Sequence, residues 1–280
     1  MNWCEWVPLS GASRDERIPR GAGLYRIRVT GGGPVIYIGQ TGRDLRERVG
    51  QLRGAFEVEM PYRDPHTAAP GLWALRHRDG CDFEASACSV AGDKAFRLGM
   101  EALVVSTHRQ ETLMSPVLNF GGMPDGYRRS SANNAALVAS GRRFRGGPDI
   151  AAVSTPASRP PLAPLGGQVI ADRFMGHAWS AWTDANSFGP QATGLYRIRR
   201  PDDPTLLYIG QGVIRSRVRA HLQKGALTDH RQAPFFAGPL AVSFVALDAV
   251  GPRGLLEIEN DLIAAHMVVV GRPPSAQFMG

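Results

Sequence analysis

Two stretches of the chain alternate apolar and polar side chains in the same order. Residues 23–28 and 194–199 both spell Gly-Leu-Tyr-Arg-Ile-Arg, a period of two that predicts a half-buried strand. A turn rich in glycine (Gly31-Gly32-Gly33-Pro34) or in proline and aspartate (Pro201-Asp202-Asp203-Pro204) follows, then an apolar strand ending in Tyr-Ile-Gly-Gln at 37–40 and 208–211. Two hairpins are expected. Beyond each hairpin the period lengthens to that of a helix. Leu45, Val49 and Leu52, or Ile214, Val218 and Leu222, fall on one stripe with Arg48 or Arg217 beside it. A later helix in each half reads Glu-x-x-aliphatic-aliphatic from Glu101 and from Glu259, and eighteen residues past each glutamate stand Asn119-Phe120 and Gln277-Phe278. Trp3-x-x-Trp6 before the first copy has an echo in Trp179-x-x-Trp182.

Tyr25 and Tyr37 are twelve residues apart, as are Tyr196 and Tyr208, although the residues between them share almost nothing. The chain is therefore one unit written twice. The pattern predicts a domain over 1–122 and another over 167–280. Between them, 123–166 is rich in Gly, Pro, Ser, Ala and Arg and buries too little apolar surface to offset its ordering entropy, so a flexible basic linker is expected there.

Composition adds a partner class. The 280 residues carry a net charge of +7, and only Lys94 and Lys224 among the 32 basic residues are lysine. A basic chain favours a polyanion such as double-stranded DNA. Arginine meets phosphate with a two-pronged fork, yet so strong a bias equally fits a GC-rich coding sequence. Cys4, Cys81 and Cys88 form no CxxC pair, which argues against a disulfide framework or a zinc knuckle. No apolar run reaches the ~18 residues of a membrane span, and no signal segment opens the chain, so a cytoplasmic location and no membrane partner are expected.

Gly-Leu-Tyr, Tyr-Ile-Gly, Leu-x-x-Arg, Glu and Asn, in that order, resemble the GIY-YIG nuclease superfamily, twice in tandem. The resemblance implies an α+β fold in which each domain is a small three-stranded antiparallel sheet flanked by helices, and an activity of metal-dependent hydrolysis of DNA phosphodiesters. Mg²⁺ is the implied cofactor, with Mn²⁺ as a substitute, held through Glu101 and Glu259. Arg48 and Arg217 would hold the scissile phosphate. Tyr25 and Tyr196 are the implied general bases, Tyr37 and Tyr208 would position the water, and Asn119 and Gln277 would brace the site. A phenol near pKa 10 is a poor base at neutral pH and needs nearby positive charge. Arg43, Arg46, Arg215 and His221 are expected to touch DNA, and His66 and His230 lie on loops where a DNA contact is weaker.

The second copy departs from the first. Gln277 adds a methylene to the amide, and two fewer residues separate Tyr208 from Arg217 than Tyr37 from Arg48. The second site is expected to be the weaker. His108 and His266 each follow their glutamate by seven residues and share its helix face; Gln40 and Gln211 stand where some family members carry lysine. Two sites in one chain suit a restriction or defence endonuclease that cuts both strands, for which a monomer suffices. The alternatives are a DNA-binding module with degenerate sites and a structure-selective repair or recombination nuclease.

Overall fold

The tryptophan pairs, unassigned by the alternation, turn out to hold the strands of each half. The computed structural model describes residues 1–58, 60–61, 68–125, 157–227 and 229–279, with the backbone of 128–129 and 150–151. Most of the expected linker and His66 lie outside the described residues. The chain is α+β and divides into two compact units, Met1–Gly92 with Pro116–Ala157, and Asp93–Ser115 with Ser158–Gly280.

In the first unit, β1 (Val7–Pro8), β2 (Gly23–Val29), β3 (Val35–Thr41) and β4 (Phe83–Ser89) form an antiparallel sheet in the order β1-β4-β2-β3. Helix α1 (Leu45–Gly50), a 3-10 turn (Gln51–Phe56) and α2 (Ala69–Asp79) supply Leu45, Val49, Leu52 and Leu72 to a core shared with Tyr25 and Ile27. Asp44 caps α1 by accepting the N–H groups of Arg46 and Glu47. Two short strands, β5 (Arg128–Arg129) and β6 (Ile150–Ala151), pair with each other.

The second unit begins with α3 (Lys94–Thr112) and a two-strand ribbon, β7 (Arg173–Phe174) with β8 (His177–Ala178). Its sheet holds β9 (Thr183–Asp184), β10 (Thr193–Arg199), β11 (Leu206–Val213) and β12 (Ala241–Ala246), in the order β11-β10-β12-β9. Helices α4 (Ile214–Gly225) and α5 (Ala233–Phe236) pack with Tyr196, Ile198 and Val242, whereas Leu195, Leu206 and Ile209 pack in a separate cluster with Leu255, Leu262 and Ile263 of α6 (Pro252–Val270).

Each sheet thus has four strands, where the alternation predicted a two-stranded hairpin and the resemblance implied three strands. The extra strand is two residues long and directly follows the second tryptophan of its pair, too short to show a period. The duplication extends to the register. Tyr25 opposes Gly39 and Ile27 opposes Tyr37 before a bulge between Ile27 and Arg28; Tyr196 opposes Gly210 and Ile198 opposes Tyr208 before a bulge between Ile198 and Arg199.

The arginines of the repeated strand point away from the tyrosines, as alternation requires. Arg26 lies 4.4 Å over Trp3 and 4.6 Å over Trp6, and Arg28 lies 4.2 Å over Trp6. Arg197 lies 4.0 Å over Trp179 and Arg199 lies 4.6 Å over Trp182. Arg197 is fully buried and donates to the carbonyls of Val169 and Ala171 and to Ser243 Oγ, and burial pulls its pKa down to about 9. These guanidiniums glue the edge segment to the sheet by cation–π contact and hydrogen bonds.

The two glutamate helices pair with each other inside the second unit. Asn260 donates to the carbonyl of Ala102, Ser106 to Asp261, and Arg109 lies beside Glu257 and Asp261, so α3 and α6 run antiparallel. The stripe Gly99, Ala102, Ser106, Arg109 has the same place in the repeat as Glu257, Asn260, Ala264, Met267, and Met267 packs against Gly99 as Arg109 does against Glu257. The pair is quasi-two-fold. Rotation about an axis perpendicular to the plane of such a pair keeps each residue on its side, so Glu101 and Glu259 leave it on the same face.

Arg109 is fully buried, binds Asp261 through Nε and Nη2 at 3.0 Å, and also donates to Ser115 Oγ and to the carbonyl of Arg159. Glu257 in turn accepts from Ser115, Ser158 and the N–H of Arg159, which fixes the start of the 158–166 segment. Arg109→Ala leaves the buried Asp261 without its cation, while Glu257 keeps Arg253 at 3.3 Å, and is expected to destabilise the fold by about 3–5 kcal/mol, read from the shift of the urea midpoint.

Candidate active site

The second unit brings all five expected residues of its copy, Tyr196, Tyr208, Arg217, Glu259 and Gln277, into one compact body. Tyr196 and Tyr208 stand on one face of the sheet with ring centroids 6.1 Å apart, over Gly210. Any side chain at Gly210 would run into both rings, which is why the Tyr-Ile-Gly motif ends in glycine. In the first unit a Cβ on Gly39 would come within 2.7 Å of the Tyr25 hydroxyl. The glycine of Gly-Leu-Tyr has a separate cause. A Cβ on Gly23 or Gly194 would strike the carbonyl of Cys88 or Val245 on the neighbouring strand.

The Tyr196 hydroxyl lies 3.0 Å from His221 Nε2. His221 is 4% exposed and is walled by Tyr208 and Phe236, with ring centroids at 4.4 and 4.5 Å. Burial, helped by the charges of Lys224 and Arg217, drives its pKa down to about 3, so it is a neutral imidazole at physiological pH. It is not a surface cation reaching for phosphate. Burial also raises Tyr196 well above its ordinary value and Tyr208 to about 12, with Arg217 pulling both back down. The resting pair is therefore a neutral phenol beside a neutral imidazole.

Arg217 is exposed on α4, while Glu259 on α6 is half-buried. Loss of water around the Glu259 carboxyl lifts it from 4.5 to about 7, against the pull of Arg217. Behind the tyrosines, Gln277 Oε1 accepts the N–H of Ile209, between Tyr208 and Gly210, at 3.1 Å. The longer side chain reaches the equivalent backbone group to the one Asn119 holds in the first unit.

There, Asn119 makes a two-way bond with Ile38, accepting its N–H at 3.0 Å and donating to its carbonyl at 2.9 Å. Tyr25 is fully buried, and its ring centroid is 6.0 Å from that of Tyr37. Arg48 Nη1 donates to Gln51 Oε1 at 2.8 Å. Leu52, fully buried, occupies the place that His221 has in the second copy. Glu101, on α3, belongs to the second unit, so the first copy's set is divided between the two bodies.

The other candidates separate by exposure. Arg43 and Arg215 are exposed and open to a polyanion. Arg46 donates instead to the carbonyls of Ile18 and Glu16, and pins the N-terminal loop to α1. His266 is buried with Nδ1 2.7 Å from the Arg272 carbonyl, a helix-end contact. His230 Nδ1 accepts the N–H of Gln232, and burial lowers the pKa of His108. The bond between Tyr196 and His221 escaped the sequence, although the i, i+4 spacing from Arg217 already put the histidine on the site side of α4.

A hard divalent cation fits this donor set in one way. Among the described residues no three His, Cys, Asp or Glu side chains come together. Glu259 is a single, poorly solvated carboxylate, and such a site suits an ion that keeps most of its waters and shares the substrate's phosphate oxygens. Comparison with known protein families, with curated proteins and with solved structures finds no match to this chain. No helix of the described residues is long and apolar enough to cross a membrane.

Proposed function

We propose that the protein is a Mg²⁺-dependent DNA endonuclease of the GIY-YIG type, with Tyr196, Tyr208, Arg217, His221 and Glu259 forming the reacting centre of its second unit. The observation that carries this reading is the hydrogen bond between the Tyr196 hydroxyl and His221 Nε2. In the tautomer whose Nε2 carries no hydrogen, the phenol donates to the neutral imidazole and keeps its oxygen lone pairs free to accept a proton from water. Tyr196 takes the proton of the attacking water as its own passes to His221, whose weak proton affinity in the free protein rises when the bound phosphate offsets the charges of Arg217 and Lys224, so no free phenolate has to pre-exist. Tyr208 orients that water. Arg217, exposed at the mouth, holds the scissile phosphate and spreads the charge that develops on its oxygens. Glu259 would hold the divalent cation, which supplies charge neutralisation to the phosphoryl group and the leaving oxygen. Tyr25, Tyr37, Arg48 and Asn119 are the counterparts that the first unit itself contains, with Leu52 in place of the histidine.

The net charge of +7 and the exposed arginines support DNA as partner. A restriction or defence role, in which the two sites nick opposite strands, is the assignment we favour. Supercoiled plasmid incubated with Mg²⁺ is expected to pass through open circle to linear and to remain intact in EDTA. Salt-sensitive binding with no cleavage under Mg²⁺ or Mn²⁺ would sink the nuclease assignment in favour of a binding module. Preference for branched over plasmid substrates would reassign the enzyme to repair or recombination.

A further inference from the structure

Helix α4 carries Arg217, His221 and Lys224 along one stripe, spaced four and three residues apart. Only the arginine belongs to the repeat. The places four and seven residues beyond Arg48 are filled by Leu52 and Ala55, both fully buried. Lys224 is moreover one of only two lysines among the 32 basic residues of the chain.

The lysine is positioned rather than loose. Its Nζ donates to Gln232 Oε1 at 2.8 Å, and Gln232, 3% exposed, donates its Nε2 to the carbonyl of Ala276 at 2.9 Å. The next residue, Gln277, accepts the N–H of Ile209 in the Tyr-Ile-Gly strand. One chain of bonds therefore ties the ammonium to the backbone that carries the tyrosines. Gln232 is neutral and aims the ammonium without neutralising it. Among the described residues, no carboxylate lies within ion-pair distance of Lys224 or Arg217. Burial and the neighbouring Arg217 both weaken the hold of Lys224 on its proton. Two cations held on either side of a neutral histidine repel each other in the free protein, and an anion entering between them relieves that repulsion.

We propose that Lys224 is a second phosphate clamp, taking a phosphodiester that neighbours the one held by Arg217 and so setting the register of the DNA strand in the second unit alone. The proposal rests on the nuclease reading of that unit. It makes the two copies unequal in grip as well as in proton transfer. The first copy would hold its strand without this contact.

The test uses the full chain with Lys224→Met, Lys224→Arg and Gln232→Glu. Equilibrium binding of a short duplex is measured against salt without divalent cation, and conversion of open-circle plasmid to linear is measured with Mg²⁺. Lys224→Met is expected to reduce the slope of log affinity against log salt by about one and to raise KM roughly tenfold with kcat near wild type. Lys224→Arg restores both. Gln232→Glu, which pairs the ammonium with a carboxylate while keeping the network, reproduces Lys224→Met and covers the case in which that variant fails to fold. An unchanged slope and KM in both Lys224→Met and Gln232→Glu overturn the clamp. A wild-type protein that binds DNA but cuts none overturns the nuclease reading, while the salt slope still decides the clamp.

Discussion

Supercoiled plasmid treated with the Glu259→Gln protein and Mg²⁺ is expected to stop at open circle, with the second-strand cut slowed by about 10³-fold, the size expected when one charge-stabilising group is lost at a reacting centre. Glutamine keeps the shape of the side chain and removes the charge a cation needs. Linear product at the wild-type rate would refute a division of labour between two sites. The same variant has a second signature. In the folded chain the Glu259 carboxyl holds its proton up to about pH 7, while its ordinary value is 4.5. Between those values the unfolded chain releases a proton that the folded chain keeps, so wild-type stability falls as pH rises from 4.5 to about 7 and stays lowered above it. Glutamine does not titrate. Glu259→Gln should therefore melt at a higher temperature than wild type at pH 8 and at the same temperature at pH 4. Added Mg²⁺ should raise the wild-type melting temperature at pH 8 more than that of the variant, which keeps Glu101 alone. Loss of activity with gain of stability marks a carboxylate held for function against the preference of the fold.

His221→Leu, which copies into the second unit the residue that the first has at Leu52, is expected to lower second-strand cleavage by about 10² to 10³-fold, the range for one positioned proton acceptor. Duplex affinity should not change, because a neutral histidine contributes no charge to phosphate binding. The pH–rate profile separates this role from a structural one. With His221 pushed down to about 3 and Glu259 up to about 7, the acid limb of wild-type cleavage belongs to the glutamate. Mg²⁺ competes with the proton for that carboxyl, so the limb should lie below pH 7 at high Mg²⁺, move up toward about 7 as Mg²⁺ is lowered, and persist in His221→Gln. A limb near pH 6 to 6.5 that disappears in His221→Gln would mean that the histidine is charged in the resting site, and would overturn the relay.

These expectations shift the balance between the copies. Gln277 and the shorter approach to Arg217 pointed to a weaker second site. Yet Gln277 accepts the N–H of Ile209 as Asn119 accepts that of Ile38, so the added methylene keeps the acceptor half of the contact, whereas the donation of Asn119 to the Ile38 carbonyl has no counterpart among the described residues. The second copy also gains a histidine on its tyrosine, where the first packs a leucine. The rate at which Arg48→Ala nicks supercoiled plasmid through the second site, set against that of Arg217→Ala through the first, would rank the two sites.

The repeated hairpins, the stripe of the arginine helix and the glutamate helix were legible along the chain because each depends on local periodicity, and Asn119 and Gln277 could be placed by counting from the glutamates. Short range hid the fourth strand of each sheet, since two residues after a tryptophan carry no alternation. The glycines of the two motifs were visible as letters, but only the close approach of Tyr25 and Tyr196, or of the Cys88 and Val245 carbonyls, explains them. Likewise Arg46 and His221 looked alike as polar neighbours of an arginine expected to hold phosphate. Burial separated them, sending one to loop carbonyls and the other into an aromatic wall.

By itself the sequence determined the duplication, the strand and helix periods, and the order of tyrosine, arginine, glutamate and amide in each copy. Tertiary structure alone decided that α3 pairs with α6 in one unit, that Arg109 joins Glu257 and Asp261, and that Tyr196 meets His221. The reason is range: period and spacing act over a few residues, whereas burial, charge pairing and proton affinity depend on partners as far as 158 positions away.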